Sequence, residues 1–232
     1  MSLNVKNTTF PNIFDLLAPH SCRGCGRIGN ALCDCCKNNI ISNHLNICPN
    51  CKGPSHVGHC ERCKELPKIF IVGPRNELIG ELVQELKFHS VRSLAKPLAE
   101  ILNEILPDFN TELSIVPLPT IQRHIRERGL DHTFLIAKNL KKLRKNCSIE
   151  KLLLREKNTV QVGSDEKTRL KQASSAYKIN KNIKIDNHKT YLLLDDVWTT
   201  GATVKSALKK LQEAGAKNLV IAILAVNRLN QS

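Results

Sequence analysis

The feature that most constrains the fold is a run of nine residues, 195–203, with the sequence Asp-Asp-Val-Trp-Thr-Thr-Gly-Ala-Thr. It follows an apolar stretch at residues 191–194 that is typical of a buried strand, and it leads into a helical pattern at residues 203–214. In open α/β sheets, ligands bind beyond the carboxyl ends of the strands, where a strand passes into a helix. The run therefore predicts an α/β domain with a ligand site at this strand end.

The residue types in this run suit a sugar phosphate. The first turn of a helix has unpaired N–H groups and a partial positive charge, and three threonine hydroxyls add hydrogen-bond donors. Gly201 lets the backbone approach a phosphate closely, while Asp195 and Asp196 can accept hydrogen bonds from vicinal ribose hydroxyls. An ordinary N-cap with a turn glycine needs neither the acidic pair nor the threonines. We predict a ribose 5-phosphate site formed by Asp195, Asp196, Val197, Thr199, Thr200, Gly201, Ala202 and Thr203.

The other periodic stretches agree with this fold class. Apolar residues recur at three- and four-residue spacing over residues 76–88 and 94–106, which predicts two amphipathic helices, and a third is expected at residues 132–144. Apolar runs at residues 113–117, 152–154 and 219–226 predict strands, and Gly215 is placed to end the helix before it in a left-handed conformation. Strands that alternate with helices imply a mainly parallel sheet with helices on both faces.

The amino-terminal part of the chain is rich in cysteine, since nine of the ten cysteines lie between Cys22 and Cys63. A reducing compartment keeps such cysteines as thiols, and paired Cys-x-x-Cys motifs are typical of structural zinc sites. The composition changes near Pro67, so we expect a small zinc-binding domain at residues 1–66 and an α/β domain at residues 67–232. The two predicted zinc sets are Cys48, Cys51, Cys60 and Cys63, with His56 and His59 as rival ligands, and Cys22, Cys25, Cys33 and Cys36, with Cys35 as an alternative ligand.

The chain is strongly basic, with a formal net charge of +14, which favours a polyanionic partner. Residues 1–19 have neither a signal-peptide pattern nor a lipid-anchoring motif, and no apolar run is long enough to span a membrane. We therefore expect a cytoplasmic protein without stable membrane insertion. Aromatic residues for base stacking are scarce, so a nucleic acid would be bound through its phosphates. The candidate contacts are Lys141, Lys142, Arg144, Lys145, Lys167 and Arg169, although this run also fits the solvated face of a helix.

Residues 195–203 resemble the phosphoribosyl pyrophosphate (PRPP) motif of type I phosphoribosyltransferases. Four further groups are spaced as in the ComF competence family, and the cysteine-rich start resembles the double zinc ribbon of that family. These groups are Leu86-Lys87-Phe88, Val116-Pro117-Leu118-Pro119, Arg126-Glu127-Arg128-Gly129, and Arg155 with Gln161 and Arg169. The resemblance implies a type I phosphoribosyltransferase fold, two structural zinc ions, and PRPP bound with Mg²⁺.

The resemblance also implies roles for residues outside the phosphate-binding run. Pro117, Leu118 and Pro119 would face pyrophosphate, and Arg128 would act beside Asp195 and Asp196 in catalysis. Arg123 and Arg126 are further candidates for the pyrophosphate side, unless these arginines form a solvated basic turn. Residues 155–169 would form a mobile loop over the reaction centre. Two departures from the family pattern are Leu130-Asp131-His132, where Phe-Asn-Gln is usual, and Trp198, where a smaller residue is usual. We expect His132 to be an ordinary polar residue.

The function implied by the resemblance is assistance to internalised single-stranded DNA in natural transformation. A helicase or another DNA-processing protein of the uptake machinery is then a candidate partner. Whether the chain is itself an active glycosyltransferase is left open. One alternative is a salvage phosphoribosyltransferase that joins a base or a related acceptor to PRPP. Another is a regulator that senses PRPP while its zinc ribbon contacts duplex DNA.

Overall fold

The computed structural model describes residues 20–155 and 177–227. The predicted mobile loop, with Gln161, Lys167 and Arg169, therefore lies almost entirely outside the described residues. The strands and helices, numbered along the chain, are β1 (His20–Ser21), β2 (Ile28–Gly29), α1 (Asp34–Ser42), β3 (Lys68–Pro74), α2 (Leu78–Phe88), α3 (Ala95–Ile105), β4 (Leu113–Pro117), α4 (Gln122–Arg128), α5 (His132–Leu143), β5 (Cys147–Ile149), β6 (Leu153–Arg155), β7 (Tyr177–Ile179), β8 (Thr190–Trp198), α6 (Ala202–Glu213) and β9 (Asn218–Val226).

A five-stranded sheet in the order β3-β9-β8-β4-β5 forms the centre of the molecule, and every neighbouring pair in it is parallel. Successive residues of β8 point to opposite faces. Leu192 and Leu194 belong to the core beneath α2, α3 and α5, whereas Tyr191 and Leu193 pack with α6 and the β6-β7 hairpin. The predicted fold class, a mainly parallel sheet with helices on both faces after a cysteine-rich segment, is confirmed.

The predicted elements fall close to the observed ones, and β4 has the predicted bounds. The largest difference is in β8, which continues through the acidic pair to Trp198. Its extension is held by β9, because Asp195 pairs with Ile223, Val197 with Ala225, and Trp198 with Val226. The parallel ladder thus keeps polar residues in a strand that their own propensity would not favour.

In the α/β domain the sequence prediction missed β3, α4, β5 and β7. The seven residues of α4 contain one apolar side chain, Ile125, and so have no periodicity to detect; the helix ends at Gly129, whose φ is 64°. The three-residue β5 is defined by pairing with β4 rather than by its own sequence. The predicted C-terminal glycine of α6, Gly215, does have a positive φ of 99°.

The cysteine-rich segment packs on the α/β sheet domain. Cys22, Ala31 and Leu32 share one core with α2 and α3, and the amine of Lys37 in α1 lies 2.7 Å from Glu100 Oε2 in α3. Farther along, the N–H of Ile69 donates to the carbonyl of Gly58. The proposed boundary at residue 67 therefore separates two parts that bury apolar surface against each other.

Across residues 20–155 and 177–227, no helix has both the length and the apolar character required to cross a lipid bilayer.

Candidate functional site

A cavity of about 330 Å³ opens beyond the carboxyl ends of β4 and β8. Its wall unites regions that are far apart in sequence, among them the end of α2, the segment after β4, the start of α5, and the end of β8 with the residues that lead into α6. Predicted residues on this wall are Leu118, Pro119, Arg128, Asp195, Asp196, Val197, Thr199 and Thr203. Four other predicted residues do not reach it: Pro117, Thr200, Gly201 and Ala202.

Gly201 and Trp198 explain how the phosphate-binding run is shaped. Gly201 has a φ of 75°, a conformation that favours glycine, and it directly precedes α6. A Cβ at this position would overlap Cζ2 of the Trp198 ring and lie 2.6 Å from its Cε2. Trp198 itself is 2% exposed and belongs to the core with Val204 and Leu208. Trp198 therefore packs beneath Gly201 in the core and supports the phosphate-binding run from the side away from the cavity.

The two carboxylates at the end of β8 have different surroundings. Oδ2 of Asp196 lies 2.5 Å from the amine of Lys87 and 2.9 Å from Nε2 of His132. Asp195 accepts the backbone N–H of Asp196 at its Oδ1, at 2.9 Å. Burial opposes ionisation of Asp196, but the His132 hydrogen bond and the Lys87 charge hold its pKa well below the ordinary value. Burial and the neighbouring charge of Asp196 raise the pKa of Asp195 well above it.

Lys87 and His132 line the cavity and contact Asp196, and the residue-level prediction missed both. Lys87 is in the last turn of α2, and His132 is the first residue of α5. The only sequence signal for Lys87 was its place in a motif shared with a family. His132 carried no signal, because its partner is 64 residues away along the chain.

One of the three candidate arginines reaches the cavity. Arg123 pairs with Glu127 on the solvent face of α4 at 3.0 Å, and Arg126 is exposed. Arg128 lines the cavity, with its guanidinium carbon 4.8 Å from the centre of the Phe88 ring. Another wall carries Arg155, whose Nη1 lies 3.2 Å from the hydroxyl of Tyr177, and burial raises the pKa of that tyrosine. Two arginines therefore line the same cavity as the acidic pair.

The cysteines form two four-thiol clusters, and within each the sulfur atoms all lie within 4.8 Å of one another. A tetrahedral zinc ion with Zn–S bonds of about 2.3 Å places its ligand sulfurs roughly 3.8 Å apart. The observed separations are 3.7 Å for Cys25 and Cys33, and 3.4 Å for Cys51 and Cys60. Both clusters can therefore hold structural zinc. The first cluster is Cys22, Cys25, Cys33 and Cys36, and the second is Cys48, Cys51, Cys60 and Cys63. The exposed Cys35 is therefore not a ligand of the first cluster.

Individual cluster thiols differ in acidity, and within the first cluster burial raises the pKa of Cys36 whereas that of Cys22 is lowered. Burial opposes ionisation of Cys22, but backbone N–H groups of Cys33, Cys25 and Gly24 prevail and lower its pKa to about 6. Burial raises the pKa of Cys48 to about 12. A bound zinc ion would hold all four thiols of each cluster as thiolates.

Comparison with known proteins agrees with this geometry, although no protein-family model matches the chain. Competence protein F of Haemophilus influenzae is 26% identical over 224 residues, which cover 90% of this chain and 96% of that protein. Competence protein ComFC of Streptococcus pneumoniae is 26% identical over 196 residues, or 82% and 85% of the two chains. The resemblance to ComF competence proteins is confirmed.

Solved structures similar to this ComF-like chain include a hypoxanthine phosphoribosyltransferase from Staphylococcus aureus in two crystal forms. Its tetragonal form is 18% identical, with a TM-score of 0.35, over 63% of this chain and 64% of that one. The orthorhombic form is also 18% identical, with a TM-score of 0.34 and coverage of 66% and 69%.

The departure at residues 130–132 from the ComF pattern has a structural explanation. The carboxylate of Asp131 accepts the N–H of Phe134 at 3.1 Å and so caps the start of α5. Capping places the next residue, His132, in the first turn of the helix, where its side chain meets Asp196. Of the three changed residues, His132 thus lines the cavity.

The predicted basic run lies at the other end of α5. Lys141, Lys142 and Lys145 are exposed. Arg144 has a structural contact instead, since its guanidinium donates to the carbonyls of Asn103, Leu106 and Pro107 at 2.8 to 2.9 Å. The 12 residues of α5 span about 18 Å at 1.5 Å per residue. The lysines and the cavity are therefore on separate surfaces.

Proposed function

We propose that this protein binds PRPP with Mg²⁺ in the cavity and assists internalised single-stranded DNA in natural transformation, in the cytoplasm. The observation that carries the proposal is that Asp195, the first turn of α6 and Arg128 line one cavity. The similarity to competence proteins over most of the chain supports the biological setting.

The charges of the cavity suit the parts of PRPP. Thr199 and Thr203, at the start of α6, suit the 5-phosphate, because the helix N-terminus carries unpaired N–H groups and partial positive charge. The acidic end of β8 suits the ribose hydroxyls. Across the cavity, Arg128 with Leu118 and Pro119 suits the pyrophosphate, since guanidinium groups recognise phosphate oxygens in two-point contacts.

The donor set also suits Mg²⁺, which proteins bind through one or two carboxylates together with phosphate oxygens and water. Asp195 would be the protein ligand. Bound Mg²⁺ would neutralise charge on the pyrophosphate leaving group. In this proposal Asp195, Asp196 and Arg128 form the catalytic set.

Calorimetric titration of the zinc-containing protein with PRPP and Mg²⁺ tests this part. Asp195→Ala should weaken binding by roughly tenfold or more, because a lost hydrogen bond to a charged acceptor costs about 1.5–3 kcal/mol. Glu213→Ala, at the far end of α6, is a charge-matched control and should bind like the parent. Equal affinity of Asp195→Ala and the parent would contradict the ribose assignment.

For the DNA-binding surface we propose the three exposed lysines at the end of α5: Lys141, Lys142 and Lys145. Arg144 is left out, because its guanidinium is used by the carboxyl end of α3. A surface of exposed lysines would bind phosphates with little sequence preference. Lys167 and Arg169 lie outside the described residues and remain candidates from sequence.

Fluorescence anisotropy with a labelled single strand at several salt concentrations tests this surface. The triple Lys→Gln variant at residues 141, 142 and 145 should bind more weakly, and its salt slope should fall by about two, since each single-strand phosphate contact contributes about 0.7. A control triple of other exposed lysines, Lys181, Lys184 and Lys217, should change the slope less. If both triple variants have the same affinity and salt slope, the end of α5 is not the DNA-binding site. If the parent binds no single-stranded DNA, a protein partner would be the remaining link to transformation.

A specific observation also favours the alternative of an active base phosphoribosyltransferase. Phe88 is 53% exposed on the cavity rim, with Arg128 beside its ring. An exposed aromatic ring next to a phosphoribosyl site could stack on a planar acceptor. A pyrophosphate-release assay with a panel of nucleobases separates the two functions. A DNA-handling protein needs no acceptor base and should release no pyrophosphate, whereas a base phosphoribosyltransferase should release it.

A further inference from the structure

His132 is a buried side chain that contacts the acidic pair, although the sequence analysis predicted an ordinary polar residue. It is 4% exposed, and the Asp196 carboxylate that it contacts is 9% exposed. Nε2 of His132 and the amine of Lys87 both bind the same oxygen, Oδ2 of Asp196. This carboxylate is therefore desolvated and held by two donors from two different helices.

The second ring nitrogen shows how His132 acts. Its Nδ1 is buried and has no hydrogen-bond partner among the described residues. A protonated Nδ1 would bury an unsatisfied N–H, whereas an unprotonated Nδ1 buries only an acceptor. An imidazole that donates from Nε2 to Asp196 meets this condition, and Lys87 places a positive charge on the same oxygen.

Asp195 is arranged differently. No Lys, Arg or His nitrogen lies within 4.0 Å of its carboxylate in the part of the chain that the structure describes. It accepts the backbone N–H of Asp196 and lies beside the Asp196 carboxylate. Both carboxylates line the cavity, but the one without a Lys, Arg or His partner among the described residues is Asp195, so it has the unused acceptor capacity.

We propose that Asp196 is an internal counter-ion held by Lys87 and His132, that His132 is a positioning residue, and that Asp195 alone contacts the ribose hydroxyls. This inference rests on the proposed PRPP function, but it divides roles within an acidic pair that the sequence treats as equivalent. Asp196 would fix the end of β8 against α2 and α5, and thereby hold Asp195 at the cavity. It would then be a positioning residue and not a member of the catalytic set with Asp195 and Arg128.

Two substitutions of His132 test the positioning role. In His132→Gln the amide nitrogen can take the place of Nε2 and donate to Asp196, whereas the amide of His132→Asn corresponds to Nδ1 and is too short. Affinity for PRPP with Mg²⁺ should stay within about threefold of the parent in the Gln variant and fall about tenfold or more in the Asn variant. Equal affinity in both variants would overturn the positioning role.

Substitution of the two carboxylates separates their roles. Asp196→Asn should lower the melting temperature, because it leaves the part-buried Lys87 charge without its partner. Asp195→Asn should keep or raise the melting temperature while it removes most PRPP binding. If Asp196→Asn keeps the parent's melting temperature and loses affinity as Asp195→Asn does, both carboxylates contact the ligand and the inference fails.

The two proposals fail in different ways. If the parent binds no PRPP, the proposed function is wrong. The melting temperatures of the Asp195→Asn and Asp196→Asn variants then still decide whether Asp196 is the internal counter-ion.

Discussion

Gly201→Ala is the substitution whose effect the structure defines best. Two costs combine at this position. A residue with a Cβ in the left-handed region costs about 1–2 kcal/mol. The new methyl group would also overlap the ring of Trp198, and overpacking of a buried site costs about 1–3 kcal/mol. We expect a total loss of about 2–5 kcal/mol in the free energy of unfolding.

Gly129→Ala separates these two costs. Gly129 has a φ of 64°, close to the 75° of Gly201, but a Cβ there meets nothing within 4 Å. This control should therefore lose only the backbone part, about 1–2 kcal/mol. Urea unfolding of the zinc-containing variants measures both losses.

The fluorescence of Trp198 reports on the same contact, since it is the single tryptophan of the chain. Its emission should change in folded Gly201→Ala and stay as in the parent in Gly129→Ala. If the two variants lose equal stability and leave the emission unchanged, Trp198 does not support the phosphate-binding run, and the reasoning is wrong.

Three further predictions concern other parts of the molecule. Metal analysis should find about two zinc ions per chain in the parent and in Cys35→Ser, but about one in Cys36→Ser, which loses a cluster ligand. Arg144→Met should lower the free energy of unfolding by about 2 kcal/mol or more, because three carbonyls at the end of α3 lose their donor. The control Lys145→Met, at an exposed position, should change the free energy of unfolding by less than about 0.5 kcal/mol. The pKa of Asp195 is raised in the folded protein, so its contribution to stability is complete below the unfolded pKa of about 3.9 and is lost as pH rises toward the folded value. Asp195→Asn should therefore be more stable than the parent at pH 7 and lose this advantage near pH 4. An advantage of the variant that grows toward acid pH would contradict this sign.

The sequence by itself determined the fold class and the centre of the candidate site. Apolar periodicity located α2, α3 and α5, because a helix that packs on a sheet must carry its apolar residues at three- and four-residue spacing. Residues 195–203 combined a strand end, a carboxylate pair and a helix start within nine positions, so local chemistry alone indicated where a sugar phosphate would bind. The spacing of the cysteines likewise predicted two four-thiol clusters, since a tetrahedral site limits the distance between its ligands.

Only the tertiary structure decided which side chains meet across the site. The contacts of Asp196 with Lys87 and His132 join residues 109 and 64 positions apart, and no local pattern encodes them. The same holds for Arg144: as one more charge in a basic run it looked like a DNA contact, but the carboxyl end of α3 uses its donors. Helix and strand patterns depend on neighbours in sequence, whereas the partner of a buried charge depends on how the elements pack, and packing brings together residues that the chain itself keeps apart.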